Sequence, residues 1–308
     1  MVLFGAVRYD LRMLAWNLRS SAAGGAAVVA VGLSLGGCGT AFTNADTSDA
    51  AAVDSGDGGL VDGGSVDGNA PSYCASVTTT YVFCDDFDDN GRTGGGATTV
   101  QGRWTDLTIG GPGSNATVDD LAANPPSPPN TFNAQVSEAD SNDTQDVAVL
   151  TERVGQLGVS RRMTTTFSAF VTSYGSGDGS TGTDVATVFD IMLGNYSYAL
   201  FIFDPTRAYF TETGPADDGG TTTITHPLTT GLPLTMWTNV SVSFVAPTLA
   251  APGHVTIAVG SVMDALDMDL MIRGQVDISG TTASIGLGVY SSVAPWGVRF
   301  DNVLFTTE

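Results

Sequence analysis

Beyond about residue 76 the hydrophobic and polar positions alternate mostly with a period of two, the signature of half-buried strands. In TNVSVSF, Val240, Val242 and Phe244 alternate with Asn239, Ser241 and Ser243. HVTIAVG repeats the pattern through Val255, Ile257 and Val259, and SIGLGVY through Ile285, Leu287 and Val289. Each segment can turn one face to a core. The run VATVFDIMLGNYSYALFIFD sets Gly194-Asn195 between two strand-like halves, a two-residue link that tolerates positive φ in a tight hairpin. Breakers part the strands: NPPSPPN at 124–130, YGSGDGSTGTD at 174–184 and GPADDGG at 214–220. No segment of this region carries a helical stripe. Many strands with turn-rich links across residues 72–308 predict an all-β sandwich of two antiparallel sheets.

Composition agrees with the pattern. Glutamate, a helix builder, occurs only at Glu138, Glu152, Glu212 and Glu308, whereas Thr, Val, Ser and Gly abound. The chain carries 32 acidic against 11 basic residues, a formal charge of -21, and every basic residue is arginine. A surface so acidic repels phosphate backbones, which excludes nucleic acid as a partner.

The amino terminus follows another pattern. Arg8, Arg12 and Arg19 precede the apolar or small run AAGGAAVVAVGLSL, which is too short for a membrane span and reads as a secretory signal. Its end, Leu35-Gly36-Gly37-Cys38, resembles the lipobox of bacterial lipoproteins. That resemblance implies a signal peptide over 1–37, a diacylglycerol on the Cys38 thiol and cleavage just before it. It also implies an exported protein, lipid-anchored to the outer membrane on its periplasmic or cell-surface side. Met13 opens a shorter leader, so Met1 and Met13 both stand as possible starts.

Residues 38–71 follow as an acidic stretch rich in Gly, Asp, Ser and Ala, with no positive charge. Such a segment cannot offset the entropy of ordering and is expected to act as a disordered tether. The folded domain is expected over 72–308. With Cys38 lipidated, Cys74 and Cys84 remain, and an even pair in an exported chain favours a disulfide. Two buried thiols are the alternative.

Two edges of the domain suggest a family. YVFCDDFDDNG near its start, Trp104 soon after, and WGVRFDNVLF at its end resemble the concanavalin A-like lectin/glucanase jelly rolls, laminin G-like domains included. The resemblance implies a jelly-roll β-sandwich whose first and last strands lie side by side, and a carbohydrate-binding role. The glucanase branch carries E-x-D-x-x-E on one strand. None of the four glutamates stands in such a grouping, so that catalytic route is not expected here.

Three other chemistries have candidate residues in the sequence. Asp86-x-Asp88-x-Asn90-Gly91 spaces oxygen ligands like the first half of a calcium loop, but the twelfth position is Ala97. A structural Ca²⁺ with Asp86, Asp88 or Asp301 contributing is one reading; a solvated turn is the other. His226 and His254 have no ligand-like neighbours in sequence and read as surface or satisfied histidines. Sugar binding needs exposed rings that can stack on CH groups. Trp296, between Pro295 and Gly297, is expected to be exposed, and Tyr196 and Tyr198 to line a groove beside the hairpin turn. The expected function is an anchored β-sandwich binding polysaccharide or an envelope component. A divergent glycan hydrolase or lyase, and an adhesive module for an envelope protein, are the rivals.

Overall fold

Alternation along the strands is realised as two antiparallel sheets in a computed structural model of the chain. The structure describes residues 72–88, 100–111, 113–136, 146–156, 161–173, 186–204, 206–216, 220–248, 250–272, 282–291 and 295–308. All belong to one unit, Ala70–Glu308. The leader, Cys38 and the tether lie outside the described residues. Among those described, no helix is long and apolar enough to cross a membrane.

The domain opens with a single turn, α1 (Tyr73–Ser76), whose first residue follows the capping Ser72; the Ser72 hydroxyl accepts from Ala75 N–H at 3.3 Å. A disulfide joins Cys74 of this turn to Cys84 of β1 (Phe83–Asp85), closing a loop of 10 residues. Next come β2 (Asp106–Gly110), β3 (Asn115–Asp119), β4 (Thr131–Val136), β5 (Asp146–Gln156) and β6 (Arg162–Ser173). The expected hairpin is β7 (Ala186–Leu193) and β8 (Tyr196–Asp204), turned at Gly194 with φ of 61°. Then follow β9 (Arg207–Pro215), β10 (Thr221–Pro227), β11 (Thr238–Val245), β12 (His254–Val259), β13 (Val262–Asp269), β14 (Thr282–Ser291) and β15 (Trp296–Thr307).

One sheet has the order β13-β12-β11-β6-β15-β4-β3, with β1 added to β15 as an eighth strand. The other has seven strands in the order β10-β9-β8-β7-β14-β5-β2. This is a jelly-roll sandwich. The first strand does lie on the last, with Phe83 opposite Phe305.

The core fills the space between the sheets with the apolar partners of each alternation. β11 and β12 bury Val240, Val242, Phe244, Val255, Ile257 and Val259. Phe300 of β15 sits between Phe132 and Phe167, each with ring centroids 6.0 Å away, and Phe167 reaches Phe189 of the opposite sheet at 5.5 Å. With the inner faces of the described strands committed to the core, the outer faces, the sheet edges and the loops are where a ligand can be met.

Candidate functional site

The two outer faces differ in what covers them. Over the eight-stranded sheet runs the proline-rich segment between β3 and β4, held as a strap. Ser127 donates its N–H and hydroxyl to the two Asp301 oxygens at 2.8 and 2.7 Å. Asn130 N–H donates to Asp88 at 2.8 Å, and the Trp237 indole N–H donates to Ala123 C=O at 3.1 Å. Arg299 pairs with Asp119 and donates to the Thr131 hydroxyl. Thr131, Ser168, Arg299 and Asp301 are all buried.

The three aspartates expected at a calcium site therefore have separate partners. Asp86 turns to Cys74 N–H at 3.0 Å. Asp88 and Asp301 stay close enough for their charges to interact: burial first, with Asp88 adding to it, raises the Asp301 carboxyl to about 7 against the bonds from Ser127 and Asn302. A pocket of about 230 Å³ beside them is lined in part by Asp88, Ser127 and Asn302, and the buried Asn302 Oδ1 has no hydrogen-bond partner. That orphaned acceptor and Asp88 are the donors a cation would meet there. Among the described residues, no three His, Cys, Asp or Glu side chains converge to hold a metal ion.

The outer face of the seven-stranded sheet is covered in part: Val147 and Val149, which alternate with the core residues Ala148 and Leu150, are buried, whereas Thr151, Asp190, Phe201, Tyr209 and Thr211 are half-buried. Strand parity sends Ile285, Leu287 and Val289 of β14 inward and Gly286, Gly288 and Tyr290 outward. Register then aligns side chains across strands. Asp106, Thr151, Gly286, Asp190, Ala199 and Thr211 form one transverse row, from β2 to β9. A second row holds Val147, Tyr290, Thr187, Phe201 and Tyr209. A third runs from Arg153 through Ser284, Met192 and Ser197 to Thr213. The face thus offers rings on one side, hydroxyls on the other, and a carboxylate between two small residues.

Asp190 is the unusual group. The residue is half-buried, but its Oδ1 is sealed from bulk solvent and has no hydrogen-bond partner. Its carboxylate lies over Gly286, where a Cβ would come within 1.9 Å of Oδ1. Burial raises the carboxyl to about 7. Tyr290 is raised above its ordinary value by burial and then by the Asp190 charge, so its phenol stays protonated.

The rings expected to bind a ligand lie elsewhere. Trp296 is buried at 1% exposure and shares its parity with the core residues Val298 and Phe300, which corrects the expectation that it is exposed. Tyr196 and Tyr198 do share a face, but with Leu200 and Ile202, and that face is the core; they line no groove. His226 lies 2.7 Å from the buried Glu212, which also accepts from Met271 and Ile272 N–H. His254 sits between Asp269 and Asp267 at 2.9 and 2.8 Å, and those bonds raise its pKa.

Asp190 and Tyr290 were not singled out from the sequence as a pair. A signal for each existed: a lone charge inside the apolar run TVFDIML, and an aromatic at the polar parity of SIGLGVY.

No protein-family model matches the chain, and no curated protein matches it in sequence. In fold, the chain is similar to the endo-beta-1,4-glucuronan lyase of the fungus Trichoderma reesei, with a TM-score of 0.55 at 11% identity over 74% of this chain and 96% of that one. An alginate lyase is a looser match, with a TM-score of 0.46 at 10% identity over 73% and 96% of the two chains. The binding domain of botulinum neurotoxin serotype G is looser still, at 0.44 and 8% over 74% of this chain and 48% of that one. At such identities likeness is a matter of fold: this is an all-β jelly-roll sandwich, and solved structures near it include polysaccharide lyases.

Proposed function

We propose that the protein is an exported, lipid-anchored β-sandwich that binds polysaccharide on the outer face of its seven-stranded sheet. The observation that carries this reading is the set of side-chain rows on that face. The face presents half-buried ring, hydroxyl and carboxylate rows around Asp190, while the strap pinned at Asp301 crosses part of the other face. Sugars need that combination, because CH groups stack on rings while hydroxyls exchange hydrogen bonds with polar side chains. The lipobox-like Leu35-Gly36-Gly37-Cys38 supports anchoring through Cys38 and placement at the outer membrane, with residues 38–71 as tether. The concanavalin A-like affiliation belongs to the same proposal.

The test is a screen of the full chain on a polysaccharide array with and without Ca²⁺. Selective retention is expected, weakened about threefold to tenfold in Tyr290→Phe by loss of one hydrogen bond. Retention of no polysaccharide would reject the reading. Calcium belongs to the proposal only as a stabilising ion between Asp88 and Asp301. An ion present at about 100 times its Kd adds about 2.7 kcal/mol and raises Tm; an unchanged Tm removes it.

A second reading, a lyase, is favoured by one observation: Asp190 and Tyr290 interact at the centre of the same face. A carboxylate titrating near neutrality can take a proton, and a phenol kept protonated can give one to a leaving oxygen. Tyr290→Phe would then abolish release of unsaturated product. The hydrolase form is less well served. Asp106 and Asp190 share a row three strands apart, about 14 Å, beyond the roughly 5–9.5 Å of paired glycosidase carboxylates.

A further inference from the structure

We infer that the outer face of the seven-stranded sheet selects uncharged, hydroxyl-rich glycans over polyuronates, an inference that rests on the polysaccharide-binding reading. Asp190 lies between Gly286 and Ala199 in its row, so neither neighbour brings a polar or cationic side chain to its half-buried carboxylate. A carboxylate with no cation in its row favours a ligand that brings a donor. A sugar hydroxyl supplies one, whereas a uronate carboxylate brings a second acceptor and a second negative charge.

The rest of the face does not compensate. Its described charges are Asp106, Asp190 and Asp204 against Arg153 and Arg207, and Arg207 is held by Asp204. Arg153 is therefore the described cation that could receive a uronate, and it stands two strands and one row from Asp190. The chain as a whole, at -21, adds a repulsive field to that local balance. Along the β9 and β10 edge, Thr211 and Thr213 lie opposite Thr225 and Thr223, and the Thr213 and Thr223 hydroxyls sit 3.1 Å apart. Such hydroxyls give and accept with equal ease, which suits a neutral sugar and gives no advantage to an anion.

Affinities of the full chain for neutral β-glucan and mannan oligomers and for glucuronan and alginate oligomers, at low and high salt, test the inference. Neutral oligomers are expected to bind at least about tenfold more tightly than uronates at low salt, a gap that salt narrows by screening. Asp190→Asn, which removes the charge but keeps the size, is expected to raise uronate affinity severalfold relative to neutral. Uronates binding as tightly as neutral oligomers, and losing that binding in Arg153→Ala, would overturn the inference and leave the binding reading standing. Binding of neither class would overturn the reading and the inference with it.

Discussion

Asparagine at position 190 is expected to stabilise the protein above neutral pH and to change little near the carboxyl's ordinary value. In the folded chain the Asp190 proton is held up to about 7, against 3.8 for an ordinary aspartate. Between those values the folded state holds a proton that the unfolded state has released, so stability falls as pH rises through the window. Above the folded value the full penalty is present. A shift of this size corresponds to roughly 2–4 kcal/mol, discounted for the residue's partial exposure. Asp301, also raised to about 7, adds a slope of the same sign. Urea unfolding of wild type and Asp190→Asn across this range measures the effect directly. Curves separated by the same amount at every pH would show that burial does not hold the proton.

The second large effect is expected at Gly288. Its φ of 157° is rarely adopted by L side chains, and a Cβ there would lie 2.1 Å from the Ala148 carbonyl oxygen and 2.7 Å from the Val149 Cα. Both atoms are backbone of the neighbouring strand, so no rotamer change relieves the clash. Gly288→Ala should force β14 away from β5 and cost about 1–3 kcal/mol or more. Gly288 stands between Gly286 and Tyr290 on the outward parity, so the same change should displace both from Asp190. The expected result is a lower Tm together with weaker glycan retention. A variant of unchanged Tm would mean that the strands do not approach so closely.

How much of this is legible in the sequence depends on parity. The sandwich, the hairpin at Gly194 and the inward faces of β11, β12 and β14 follow from two-residue alternation alone. Trp296, Tyr196 and Tyr198 could have been placed by the same rule. Trp296 shares its parity with Val298 and Phe300, and the two tyrosines share theirs with Leu200 and Ile202; the flanking Pro295 and Gly297 point the other way for Trp296, and the adjoining hairpin turn does so for the tyrosines. The Asp190 site was less accessible. Its row draws on β2, β5, β14, β7, β8 and β9, brought together by strand order rather than by sequence spacing. The strap was hidden for the same reason. NPPSPPN reads as a breaker, and only the 174-residue separation closed by Ser127 and Asp301 reveals what it covers.

A crystal structure of the chain with a neutral oligosaccharide tests the central claim most directly. The account predicts sugar on the seven-stranded sheet, with hydroxyls within hydrogen-bond distance of the Asp190 carboxylate and the Tyr290 phenol. Sugar seated instead on the strapped side, against Trp237 or in the pocket beside Asp88, would contradict it.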